Sequence, residues 1–161
     1  MWVSSIVKIV NAIPGFGQLL TEQQVREFLG ASRLNLQLGT IDEKGEPNIH
    51  PIWYLFENDK LYIVTPKKSK KANNALRLKT VYFSIDDESF PYKGVKGKGS
   101  IKSLDDLNFN IKIAEKIITK YMGSLENDIG KWIINEIRQG NESVLEITPK
   151  FFSAWSFGPP T

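Results

Sequence analysis

Between residues 34 and 102 the chain carries five short apolar runs, each bounded by turn residues, and no helix of useful length separates them. Short connections make neighbouring strands antiparallel, and strands this short and numerous tend to close on themselves rather than lie open under helices. A parallel α/β sheet is thereby disfavoured. In the first run Leu34, Leu36 and Leu38 alternate with Asn35, Gln37 and Gly39, the period of a strand with one buried face. After turn residues Asp42 to Pro47, a second strand is predicted over about 48–56. Ile49, Pro51, Trp53 and Leu55 share one of its faces, and His50, Ile52, Tyr54 and Phe56 the other. Pro51 has no N–H for a ladder, so it belongs at an edge, a bulge or an irregular position. Glu57-Asn58-Asp59-Lys60 turns the chain into a third strand, Leu61 to Thr65, which forms a hairpin with the second. A fourth strand is expected over 81–85 and a fifth over 95–102, where Gly97 and Gly99 signal a bulge or the close approach of another backbone.

The longer helical patterns gather before and after these runs, and a short one lies among them. Thr21 with Gln24 reads as an N-cap pair opening a short helix over 22–29, and Ser69 as the cap of another reaching Arg77. Ser103 to Asp106 resembles a capping box ahead of an apolar stripe running to Tyr121, which predicts a helix over 104–122; a second follows over 125–139. Two closing strands are expected, Ser143 to Thr148 and Phe151 to Phe157, separated by Pro149. The outcome is a mainly β chain with α, a small antiparallel barrel of six or seven strands with helices packed on it. A single domain over 21–157 is expected, with an N-terminal arm over 1–20 and a tail over 158–161.

Composition narrows the chemistry. The 161 residues include no cysteine and one histidine, His50, which excludes disulfide scaffolds, zinc fingers, thiol nucleophiles and any two-histidine metal site; no metal is expected. A cytoplasmic location is the default. The apolar stretch from Met1 to Phe16 is interrupted by Lys8 and falls short of the ~20 residues of a membrane span. Net charge is +3, yet Lys67, Lys68, Lys70, Lys71, Arg77 and Lys79 lie together without an acid, leaving 15 cations against 18 acids elsewhere. One concentrated basic segment on a mildly acidic body points to a local anion site.

Phosphate-loop, nucleophile-elbow and metal-spacing motifs are absent, and Gly97-Lys98-Gly99 fails as a dinucleotide fingerprint because Lys102 stands where a third glycine is required. What remains is a strand ending in Thr65, then lysines around Ser69, then Asn73 and Asn74 in a helical turn. Converging hydroxyls, a cation and a helix start are the parts a phosphate monoester needs. Read in order, Asp42-Glu43-Lys44-Gly45-Glu46-Pro47, Pro51-Ile52-Trp53-Tyr54, Val64-Thr65 and Ser69-Lys70-Lys71-Ala72-Asn73-Asn74 resemble the pyridoxamine 5'-phosphate oxidase-like, FMN-binding split β-barrels. The resemblance extends over about 21–157. It implies that Thr65, Ser69, Lys70 and Lys71 hold a flavin phosphate with Asn74 supporting the turn. It also implies that Pro51, Ile52 and Trp53 line the ring, beside the end of the strand at Val64.

The resemblance implies a homodimer whose partner completes the pocket, through the segment around Lys93 to Lys98. A glutamine often found before the glycine strand is not evident here. The true oxidase's C-terminal ligands for substrate phosphate are also not matched, so vitamin B6 oxidation is not expected. The expected activity is an FMN-dependent oxidoreductase acting on a small molecule. A deazaflavin-dependent reductase or a non-enzymatic flavin carrier is the alternative. A single-stranded nucleic-acid-binding barrel is the reading from another class, but that requires aromatics interleaved with cations, and none lies between Pro66 and Lys79. His50, beside the ring segment, is a candidate proton donor as well as an ordinary strand histidine.

Overall fold

The computed structural model describes residues 7–12 and 19–158. In chain order the elements are β1 (Lys8–Asn11), α1 (Glu22–Ala31), β2 (Leu36–Ile41), β3 (Pro47–Ile52), β4 (Tyr54–Glu57), β5 (Lys60–Pro66) and α2 (Lys70–Leu78). They continue with β6 (Thr80–Asp87), β7 (Lys93–Ser103), α3 (Leu107–Met122), α4 (Asp128–Arg138) and β8 (Glu142–Ser156). Seven strands run in the order β3-β2-β6-β7-β8-β5-β4, every neighbouring pair antiparallel, and β1 lies parallel against β8. β3 and β4 occupy opposite margins of this sheet, yet only Trp53 separates them in the chain. The sheet must therefore roll until its margins meet, which makes it a split barrel.

Local chemistry explains the turns. Asp42 accepts from the N–H groups of Lys44 and Glu46, each at 2.9 Å, and Gly45 takes a left-handed conformation (φ +82°) that closes the turn into β3. Asn58 and Asp59, both at positive φ, form the two-residue loop between β4 and β5 that suits a twisted hairpin. Pro51 sits on the marginal strand β3, where its missing N–H leaves no interior ladder bond unmade.

Alternation divides the apolar residues into two cores. Leu36, Leu38, Ile63, Phe83, Val95 and Leu145 fill the barrel interior together with Val25 and Leu29 of α1 and Ala72 and Ala75 of α2. The opposite faces of β5 and β8, bearing Tyr62 and Val144, are covered by Ile113, Ala114 and Ile117 of α3 and Ile137 of α4. The two faces expected of the 48–56 segment persist across the break at Trp53: Ile52, Tyr54 and Phe56 face the barrel, and Trp53 and Leu55 face the helices.

Several expectations change. The two closing strands are one, β8, because the chain absorbs Pro149 by a bulge: Gly99 pairs with Pro149 and Lys98 with Phe151, leaving Lys150 as the extra residue. The helix expected from 104 starts at Leu107, capped by Asp106 accepting from Phe109 N, because Ser103 is held in β7 opposite Leu145. An eighth strand, β1, joins the sheet. Lys93, Lys96, Lys98 and Lys102 lie on β7, a strand in mid-sheet. The rest of the expected arm (1–6 and 13–18) and residues 159–161 lie outside the described residues. Among the described residues no helix is long and apolar enough to cross a membrane.

Candidate functional site

β5 delivers Thr65 to the barrel interior, and the chain then turns over Pro66 to start α2. Ser69 caps that helix by accepting from Ala72 N at 3.3 Å, and its hydroxyl lies 3.2 Å from Thr65 Oγ1. The two hydroxyls hold two protons. One is used between them, so the other remains available to an outside acceptor. The first turn of α2 adds the orphan N–H donors of any helix start. Asn74 is buried and donates from Nδ2 to Thr40 Oγ1 at 3.3 Å, tying α2 to β2.

The two lysines of this turn behave differently. Lys70 is 61% exposed and its ammonium stands 3.4 Å from Asp42 Oδ2, so part of its charge is already spoken for. Lys71 is half-buried and lies within electrostatic reach of both His50 and Glu142. Burial, then Lys71 and Lys70, hold the His50 imidazole below its ordinary range. His50 Nε2 is sealed from solvent and has no hydrogen-bond partner among the described residues. A nitrogen in that state is an unanswered polar atom beside a cationic turn.

Pro51, Ile52 and Trp53, expected to line a ring, and Val64, expected beside it, come together on one cavity of about 360 Å³ between the β3–β4 crossing, the end of β5 and helices α3 and α4. The crossing is held open by side chains of α3. Tyr121 Oη accepts from Tyr54 N at 3.3 Å and donates to Leu34 O at 2.8 Å, and Lys120 Nζ donates to Tyr54 O at 3.1 Å. These bonds satisfy backbone groups that the interrupted ladder leaves free. Trp53 stacks on Tyr121 with ring centroids 4.9 Å apart and planes 4° from parallel, which fixes its indole as a flat wall. Burial pushes the Lys120 amine down to about 8.

Sequence reasoning missed the other half of the cavity. Ala114, Ile117 and Ile118 of α3, Trp132 and Ile133 of α4, and Glu142 at the start of β8 complete it. The α3 stripe carried a signal for packing, but nothing local says that part of it faces a void. Glu142 pairs with Pro66, and both line the cavity, so the cavity reaches the start of the turn that carries Ser69 and Lys71, while Thr65 itself is on the barrel side of β5. Burial, reinforced by Glu136, pushes the Glu142 carboxyl up to about 7 against the pull of Lys71.

The parts fit a phosphorylated planar ring: hydroxyls, a helix start and Lys71 for the oxyanion, an apolar slot with an indole wall for the ring, and an unanswered imidazole nitrogen beside them. Comparison with known structures agrees on the architecture. A conserved hypothetical protein from Mycobacterium tuberculosis superposes with a TM-score of 0.74 at 22% identity, over 89% of this chain and 91% of that one. An F420 reductase gives 0.64 at 19%, over 79% and 94%. A FAD-binding protein from Mesorhizobium loti gives 0.64 at 16%, over 85% and 95%. At such identities the likeness speaks to the fold. Among curated proteins none matches the sequence. The model of the pyridoxamine 5'-phosphate oxidase family matches residues 21–156, nearly the whole described barrel, and the chain belongs to that family.

Proposed function

We propose that this protein binds a phosphorylated flavin, FMN or a deazaflavin, and acts as an oxidoreductase on a small molecule. The reading rests on one observation: Pro51, Ile52, Trp53 and Val64 share a cavity whose wall also holds Pro66, which opens the turn carrying Ser69 and Lys71, and Glu142, which lies within electrostatic reach of Lys71. Thr65 and Ser69 hydroxyls, the α2 start and Lys71 hold the phosphate, and Trp53 with the α3 and α4 side chains excludes water from the ring. Asp42 keeps Lys70 at the rim rather than on the phosphate. When bound, such a cofactor supplies hydride transfer, which no side chain here performs. The family membership and the fold neighbours named for F420 and FAD favour a flavin-type ligand.

A homodimer belongs to this reading. Ile49 (71% exposed) and Tyr82 (57% exposed) stand with Gly39, Gly97 and Phe151 around a shallow apolar recess on the outer face of β2, β6 and β7, and Lys96 borders it. An exposed apolar face of this kind calls for a partner. A second copy would bring the β7 lysines to a shared site, and the absence of cysteine suits a cytoplasmic setting.

The test is a titration of the apoprotein with FMN, riboflavin and a phosphorylated deazaflavin, read by flavin or tryptophan fluorescence. Lys71→Ala should weaken FMN by about 1.5–3 kcal/mol, the scale of a hydrogen bond to a charged group. It should leave riboflavin, which has no phosphate, nearly unchanged. Equal loss for both, or none for FMN, removes the phosphate assignment. Failure of every flavin to bind removes the function.

A further inference from the structure

Among the described residues Glu142 is the one carboxyl on the cavity wall. It enters at the first residue of β8, paired through its backbone with Pro66, and its neighbours on the wall are Trp53, Val64, Ile117 and Ile133. Among the described residues its carboxyl makes no hydrogen bond and no ion pair. The charged groups that face it are Glu136 from α4, held by Asn141 Nδ2 at 3.0 Å, and Lys71 from α2; Asn35 also lines the cavity. An acid left half-buried against apolar walls without a partner is costly as a carboxylate and much less so as a neutral acid.

We propose that Glu142 serves this cavity as a neutral hydrogen-bond donor, its carboxyl proton offered to an acceptor atom on an uncharged planar ring. The inference rests on the cavity being the ring site and goes beyond it by naming the polar contact and the ligand's protonation demand. Burial and Glu136 already raise this carboxyl to about 7, so the donor form is well populated at neutral pH. A ring presenting a carbonyl oxygen or an unprotonated ring nitrogen at that wall is favoured. One presenting a negative charge there is rejected as the carboxylate forms.

Binding then requires the protonated acid, so affinity is level below about pH 6 and falls about tenfold per pH unit well above pH 7. The probe is riboflavin, uncharged across this range, with FMN titrated in parallel. The readout is the ratio of wild-type to Glu142→Gln affinity from pH 5.5 to 9, in which the ligand's own ionisation cancels. The amide of Glu142→Gln donates at every pH, so the ratio should fall tenfold per unit above about 7. Glu136→Gln, which removes the like charge while keeping an acceptor for Asn141, should move the wild-type break to lower pH. A ligand-free check is the carboxyl carbon-13 titration of Glu142, expected near 7 rather than near the ordinary value for glutamate.

A ratio that stays constant with pH, or a carbon-13 midpoint near 4, overturns the role of Glu142 while leaving the ring site intact. Absence of binding by riboflavin and FMN at every pH overturns both.

Discussion

Ser69 carries two structural duties and one proposed ligand duty, and two substitutions separate them. Its Oγ accepts from Ala72 N, capping α2, and pairs with the buried Thr65 hydroxyl at 3.2 Å. Replacing an N-cap serine by alanine costs about 1 kcal/mol, whereas glycine costs only a few tenths. Either change also strands Thr65 Oγ1, a penalty of about 1 kcal/mol or more for a buried unsatisfied hydroxyl. Ser69→Ala should therefore lose about 2 kcal/mol and Ser69→Gly about 1 kcal/mol. For a chain of this length, 2 kcal/mol corresponds to a fall in Tm of about 4–8 °C. Urea denaturation followed by circular dichroism gives both values, and a common m-value shows that stability alone has changed. If the hydroxyl also meets the cofactor phosphate, both variants lose the same factor in FMN affinity despite unequal stabilities. A Ser69→Ala protein as stable as wild type would refute the capping argument. FMN losses that track stability rather than the missing hydroxyl would refute the ligand duty.

Gly97→Ala should destabilise by about 1–3 kcal/mol on urea denaturation, because its new Cβ would meet Phe83 Cζ at 2.7 Å and press on the Phe151 carbonyl oxygen, which cannot swing aside. Gly39→Ala is the matched control on the same sheet: its closest approach is 3.4 Å to Tyr82 O, and its stability should change by no more than about 0.5 kcal/mol. Acid should weaken the fold through Glu146. Burial alone would raise that carboxyl, but Lys60 at 2.8 Å and Lys102 at 3.5 Å outweigh it and hold it below the ordinary carboxylate range. The folded carboxyl is depressed, so its contribution is present above the unfolded value, about 4.3, and is lost as pH falls through the folded one. Glu146→Gln should have a shallower loss of stability between pH 5 and 3, and an unchanged slope would remove Glu146 as a contributor.

The elements legible in the sequence are those whose signals are local. Thr21 and Ser69 cap helices where their side chains said they would, and Asn58-Asp59 makes the tight hairpin. Pro51 falls on a margin because a residue without a donor has few other places in a sheet. Pro149 misled for the converse reason: a bulge at Lys150, opposite Lys98 and Gly99 of the distant strand β7, lets a strand continue through a proline. Asp106 rather than Ser103 caps α3 because β7 claims Ser103 through pairing with Leu145, a partner more than forty residues away. The site divides in the same way. Its β3, β5 and α2 residues occupy a contiguous stretch with a readable order, whereas Trp132 and Glu142 reach the cavity only through the packing of α4 and β8. A raised carboxyl such as Glu142 leaves no trace in composition or spacing.

Trp53 is the whole length of chain between the two margins, and this has a consequence for how binding capacity arises during folding. The β2–β3 and β4–β5 hairpins are each short-range and can assemble early. Their seam cannot be fixed until β8, translated some ninety residues after Trp53, pairs with both β5 and β7. The indole also gains its stacking partner late, since Tyr121 lies on α3, which follows β7 in the chain. A nascent or partly unzipped chain therefore has no slot to offer, and any molecule that fills the slot selects the fully sealed form.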